Sequence, residues 1–134
     1  MPERVDDPSI ADYELLWRRI PNVPSMIKWN HDGTFRLTSA AFKDGNNGEV
    51  SVHLAKLITQ ERALTSKPDN GLVEIEAGFP RSLGHKIVYD PTEDDISHTL
   101  ICPPQGVSNK SRERDAREMA GKARWLVYSE MVRK

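Results

Sequence analysis

The chain has 134 residues, with 19 Lys and Arg against 20 Asp and Glu, a net charge of −1 and one cysteine. That length supports a single core without covalent staples, the nearly cancelling charges argue against a protein that coats nucleic acid, and the lone Cys102 excludes an intramolecular disulfide framework. No apolar run approaches the roughly 20 residues needed to cross a bilayer, and residues 1–7 show neither the basic flank nor the apolar stretch of a secretion signal, so a reducing cytoplasm is the expected setting.

Residues 1–12 are polar and carry prolines, which predicts a loosely held N-terminal segment ahead of one domain over 13–134. The stretch Tyr13 to Ile20 fits a short helix or, preferably, a strand, ended either way by Pro21 and Pro24, which remove backbone donors and fix φ. His31-Asp32-Gly33 then separates Met26–Trp29 from Thr34–Leu37, the pattern of a hairpin with Gly33 at positive φ. Asp44-Gly45-Asn46-Asn47-Gly48 is a loop in which every residue tolerates turn geometry. In the strand that follows, Val50, Val52 and Leu54 alternate with Ser51 and His53, so the two sets occupy opposite faces.

Thr59 is placed to cap a short helix running to Leu64, which Pro68 closes off. Alternation over residues 72–77 predicts a strand with Val73, Ile75 and Ala77 inward and Glu74 and Glu76 toward solvent, followed by one helical turn over 80–83 between Pro80 and Gly84. Lys86–Tyr89 and His98–Cys102 are two further strands flanking an acidic loop, Asp90 to Asp95. From Ser108 onward the chain carries eight Lys or Arg against four Asp or Glu, whereas the residues before it are net acidic. Ala116, Met119, Ala120, Ala123 and Val127 recur there at helical spacing, with Lys110, Arg114, Arg117 and Arg124 on roughly the opposite side. The predicted architecture is α+β: a mostly antiparallel sheet, short helices and one long C-terminal helix carrying a basic ridge.

Four histidines and a cysteine raise metal binding first, but His98 and Cys102, four apart on a strand, would stand about 13 Å from each other. No metal and no cofactor is therefore expected. None of His31, His53, His85 or His98 is followed two residues later by Ser or Thr, so the paired His-x-Ser/Thr motif of some phosphoesterases is absent. A phosphate-binding Gly-Lys-Ser/Thr loop and a Gly-x-Ser-x-Gly elbow are also missing. What remains is a polar set on separate predicted strands: Arg18, Arg19, Ser39, His53, Glu74, Glu76 and His98. Arg can hold phosphate bidentately and Glu can orient a ribose, the general plan of ADP-ribosyltransfer sites, although Glu74 and Glu76 are also what any half-exposed strand shows to solvent. His53 and His98 would form a catalytic or pH-sensitive pair if the sheet brought them to one end.

The run Leu16-Trp17-Arg18-Arg19-Ile20-Pro21, then Ser39-Ala40-Ala41-Phe42-Lys43-Asp44, Val50-Ser51-Val52, Asp90-Pro91 and His98 resembles a group of small uncharacterised bacterial proteins over roughly residues 13–102. The resemblance implies a compact bacterial domain that stands alone, and it brings no activity with it. This chain departs from the group where an acidic residue often follows the Ser-Val pair and His53 stands here instead.

These features lead first to an accessory protein-interaction module without catalytic activity, because catalytic motifs are missing while Trp17, Trp29, Trp125 and the arginines are residue types enriched at interface hot spots. A nucleotide-handling enzyme of ADP-ribosyltransferase type is the alternative, using Arg18 or Arg19 on phosphate and Glu74 or Glu76 as the acid. A third reading has Lys110, Arg114, Arg117 and Arg124 contact nucleic acid.

Overall fold

The computed structural model describes residues 4–43 and 48–132. The loop expected at 44–48 lies outside them except for Gly48, which has φ +75°. Eight strands form: β1 (Leu15–Ile20), β2 (Ile27–Trp29), β3 (Phe35–Leu37), β4 (Val50–Leu54), β5 (Gly71–Glu76), β6 (Lys86–Tyr89), β7 (His98–Cys102) and β8 (Arg124–Val127). Three α-helices join them: α1 (Gln60–Leu64), α2 (Gly78–Ser82) and α3 (Asn109–Lys122). Six strands make one sheet in the order β6-β7-β4-β1-β5-β8, and β2 and β3 pair separately as a hairpin. Every pairing is antiparallel, and the whole is the predicted α+β arrangement with one long helix near the C-terminus.

Alternation fixes which residues enter the core. Leu16 and Ile20 of β1, Val50, Val52 and Leu54 of β4, Val73 and Ile75 of β5, and Ile87 and Ile101 of the next two strands bury themselves in one cluster. Helix α3 closes this face with Ala116, Met119 and Ala120, and the 3-10 turn at Ser39–Phe42 adds Ala41 and Phe42. At about 25 cal/mol per Å² of apolar surface removed from water, this burial is the main stabilising term.

Local chemistry sets the boundaries. The Thr59 hydroxyl accepts from the Arg62 amide and Ser108 from that of Ser111, so both helices start where a side chain satisfies an otherwise orphan donor. The hairpin turn has Gly33 at φ +87°, and the Asp32 carboxylate accepts from the amide and hydroxyl of Thr34, which holds Asp32 below the usual carboxylate range. The N-terminal segment is tied down where it is described. Ile10 is 2% exposed in the core, Asp7 N–H donates to the Ile87 carbonyl, and Arg81 bonds Asp6, Asp12 and the Asp7 carbonyl. Three arginine bonds compensate for a composition that by itself predicts looseness.

Two expectations about local structure need correction. The C-terminal helix stops at Lys122, Ala123 is already extended (ψ 147°), and Arg124 and Val127 belong to β8 rather than to the helix. The β-preferring run Trp125-Leu126-Val127 belongs to a strand paired with β5, which outweighs the helical spacing of the apolar residues. The helix at residues 78–82 also begins two residues before Pro80, because Ala77 and Gly78 amides are taken by the carbonyls of Glu14 and Asp12.

Candidate functional site

Strand register places a row of polar side chains across the face of the sheet opposite α3. His53 of β4 sits directly across from Trp17 of β1 on one side and from His98 of β7 on the other. Trp17 in turn faces Glu74 of β5, and Glu74 faces Arg124 of β8. Asp90, just past β6, extends the row beyond His98 through its amide bond to the His98 carbonyl. Cross-strand neighbours on one face have Cβ atoms about 4.5–5.5 Å apart, so the row is a continuous line of contacts.

One end of the row is a closed ion-pair network. Arg124 donates from Nε (2.9 Å) and Nη2 (2.7 Å) to Glu74 Oε1, while the Trp17 indole N–H donates to Oε2 at 3.0 Å. Glu74 was expected to face solvent; it is 7% exposed, because the Trp17 and Arg124 side chains flank it. Glu76, one step along β5 and back on this face, is exposed.

The other end holds two imidazoles, each braced by a carboxylate from the 90–97 loop. His53 Nδ1 lies 2.8 Å from Ser97 Oγ and 3.1 Å from Asp95 Oδ2. Since the Ser97 hydroxyl donates to Asp95, the proton between His53 and this pair belongs on Nδ1. Burial pushes the His53 imidazole below its ordinary value of 6.5; Asp95 pulls it upward, and Arg19 and His98 push it down further. Burial would raise the Asp95 carboxyl, but hydrogen bonds from Ser97 and the neighbouring histidines outweigh it and hold Asp95 low.

His98 Nδ1 is 2.9 Å from the Asp90 carbonyl oxygen and 3.2 Å from Asp90 Oδ2. A carbonyl oxygen only accepts, so Nδ1 carries a proton, and in the neutral imidazole Nε2 is the lone-pair nitrogen. That nitrogen points toward Ser51 Oγ, at 3.3 Å. Neither Ser51 nor Asp90 matches a motif. The available signal was that Ser51 and His53 share a strand face; the register of β4 on β7, which brings Ser51 to His98, is a long-range fact.

The remaining candidates are dispersed. Arg19 shares this face and reaches Ser66 Oγ (3.4 Å). Arg18 points to the α3 side, where its guanidinium bonds the carbonyls of Ala41 (3.0 Å) and Ser51 (2.9 Å), and Ser39 donates to Glu113 there. Arg18 and Ser39 are thus on the opposite face from Glu74, and one dinucleotide cannot bridge all three. Lys110, Arg114 and Arg117 are exposed on α3, while Arg124, on β8, is engaged by Glu74. Among the described residues, no group of three or more His, Cys, Asp or Glu is arranged to hold a metal ion. Burial and the neighbouring Glu49 push the Cys102 thiol up to about 12, so it stays protonated near neutrality.

A second surface feature lies where the hairpin meets β8. Phe35 makes edge contacts with Trp29 (ring centroids 5.2 Å apart), Trp125 (6.0 Å) and Tyr128 (5.7 Å), and Trp125 lies 5.3 Å from Tyr128. Trp29 is 54% exposed and Tyr128 50%. Gly71 admits this packing: a Cβ there would stand 2.6 Å from the Trp125 ring. On the outward side of the hairpin, exposed Lys28 and Arg36 are direct cross-strand partners.

No protein-family model matches the chain, and no curated protein or solved structure matches it. No helix among the described residues is long and apolar enough to cross a membrane.

Proposed function

We propose that this protein is a bacterial, cytoplasmic accessory domain that binds another protein through the Trp29–Phe35–Trp125–Tyr128 cluster. The observation that carries this reading is the continuity of four aromatic rings, two of them half exposed. Tryptophan and tyrosine are the residue types that dominate binding energy at interfaces. The partner is a protein segment that presents apolar side chains to these rings.

The test is retention of one partner from extracts of the native host on the wild-type protein and on a Trp29→Ala/Tyr128→Ala variant. The expected outcome is a stoichiometric partner that is lost with the variant, with an apolar segment mapped at the contact. Equal retention by both proteins, or a contact mapped elsewhere, overturns the proposal.

A further inference from the structure

The histidine end of the polar row has the parts of a nucleophilic site, and it stands apart from the aromatic cluster. Three groups come from three different segments: Ser51 from β4, His98 from β7 and Asp90 from the residue after β6. The Asp90 carbonyl and carboxylate both hold His98 Nδ1, which fixes the ring orientation and leaves the lone pair of Nε2 toward the Ser51 hydroxyl. The 3.3 Å separation is long for a hydroxyl hydrogen bond, as is usual before a substrate tightens such a contact. The Ser51 backbone is held from behind, since the Arg18 guanidinium donates to its carbonyl. His98 is 23% exposed, so the group is open to a ligand.

We infer that Ser51, His98 and Asp90 form a nucleophile, general base and orienting acid for hydrolysis of a carboxylic ester. In the first step Ser51 Oγ bonds to the ester carbonyl carbon as its proton passes to His98 Nε2. The carbon–oxygen bond to the alcohol then breaks, and the departing oxygen takes that proton. Water adds to the acyl-Ser51 carbonyl, giving one proton to His98 Nε2, and the proton returns to Ser51 Oγ as the acid leaves. The sum is ester plus water giving acid plus alcohol, with no other reactant. Arg19, two residues beyond Trp17 on the same face of β1, is the cation assigned to the transient oxyanion.

Charge around the site selects the substrate class. Asp90 and Asp95 hold the two histidines, and the Trp17 ring lies beside His53 across the β1–β4 pairing. Carboxylates next to an indole favour a cation. The alcohol portion of the ester is therefore cationic, with a quaternary ammonium group as the simplest case.

The test begins with a fluorophosphonate probe, which bonds to an activated serine with loss of fluoride, followed by peptide mass mapping. The adduct is expected on the peptide containing Ser51, absent in Ser51→Ala, and formed at least about a hundredfold more slowly in His98→Gln. Absence of an adduct on Ser51 in the folded wild-type protein overturns the inference, and so does an equal labelling rate in a folded His98→Gln protein. Ser51→Ala removes one hydroxyl from a half-buried strand position and keeps the comparison decisive where His98→Gln does not fold: its hydrolysis of p-nitrophenyl acetate falls to the uncatalysed rate, and unchanged hydrolysis overturns the assignment. An ester with a quaternary ammonium alcohol is expected to turn over faster than a matched ester with an anionic one, and the reverse order overturns the substrate class. A Trp29→Ala/Tyr128→Ala protein keeps full probe labelling, which separates this site from the docking surface.

Discussion

His85 and His53 each contact an aspartate, yet the two pairings sit in opposite surroundings. His85 Nε2 lies 2.8 Å from Asp115 Oδ2 with side chains 5% and 9% exposed, tying the turn before β6 to the middle of α3 beneath the helix-covered face. His53 and Asp95 approach to 3.1 Å at 13% and 27% exposure, on the face that α3 does not cover. His98 and Asp90 are more open still, at 23% and 44%. The same two side-chain types therefore form a buried clamp at the wall of a cavity that Phe42, Glu113 and Met119 also line, and two more open pairs on the other face of the sheet. Geometry at the nitrogen is similar in all three, so exposure and the third partner decide the role: a hydroxyl for His98, none for the buried His85 Nδ1 among the described residues.

Breaking the buried clamp is the harshest way to test this contrast. His85→Leu leaves the Asp115 carboxyl buried beside an apolar side chain, and a loss of about 3–5 kcal/mol in denaturant-measured stability is expected. The double variant His85→Leu/Asp115→Leu should recover part of that loss, because no polar group is then left without its partner. A loss below about 1 kcal/mol in the single variant would show that the clamp and the open pairs do not differ as described.

Acidification probes the intermediate case, His53. Its folded-state value is depressed, so below 6.5 the unfolded chain takes up the proton more readily than the native protein does. The stability this contributes is complete above that value and is lost as the pH falls through it toward the lower folded value. His53→Asn should accordingly flatten the dependence of melting temperature on pH below 6.5 relative to the wild-type protein. An unchanged slope in the variant would remove His53 as the source.

The smallest effect is expected on the exposed ridge of α3, where Arg114 Nε comes no nearer than 3.7 Å to Asp115 Oδ1. Lys110→Ala, Arg114→Ala and Arg117→Ala, all at exposed positions of α3, should each change stability by no more than about 0.5 kcal/mol in urea titrations. A larger loss at any of them would mean that the ridge contributes to the fold rather than to the surface.

Much of the framework was legible because it rests on short-range chemistry. Val50-Ser51-Val52-His53-Leu54 announces its two faces by alternation, and Thr59 and Gly33 mark a cap and a turn from side-chain preferences alone. Arg124 and Val127 were misplaced because helical spacing continues by chance through Lys122 into a segment whose aromatic and branched residues prefer the sheet. Glu74 was read as solvent-facing because alternation tells which side of a strand a residue faces but not what covers that side. The partners of His98 were the least accessible of all. Ser51 and Asp90 are 47 and 8 residues away from it, and only the pairing of β4, β6 and β7 brings them to one ring.

The β1–β4 seam divides the sheet. These strands share only two paired positions, Leu16–Leu54 and Trp17–His53, whereas β1 and β5 share six and β4 and β7 four. Beyond the second rung the Arg18 guanidinium spans from β1 to the Ser51 and Ala41 carbonyls. By backbone pairing the sheet is thus two leaves of three strands, β6-β7-β4 and β1-β5-β8, joined at the seam by two rungs and one cationic rivet over a core that both leaves share. One leaf carries His53 and His98 with their aspartates, and the other carries Trp17, Glu74 and Arg124, so the seam cuts the polar row between His53 and Trp17.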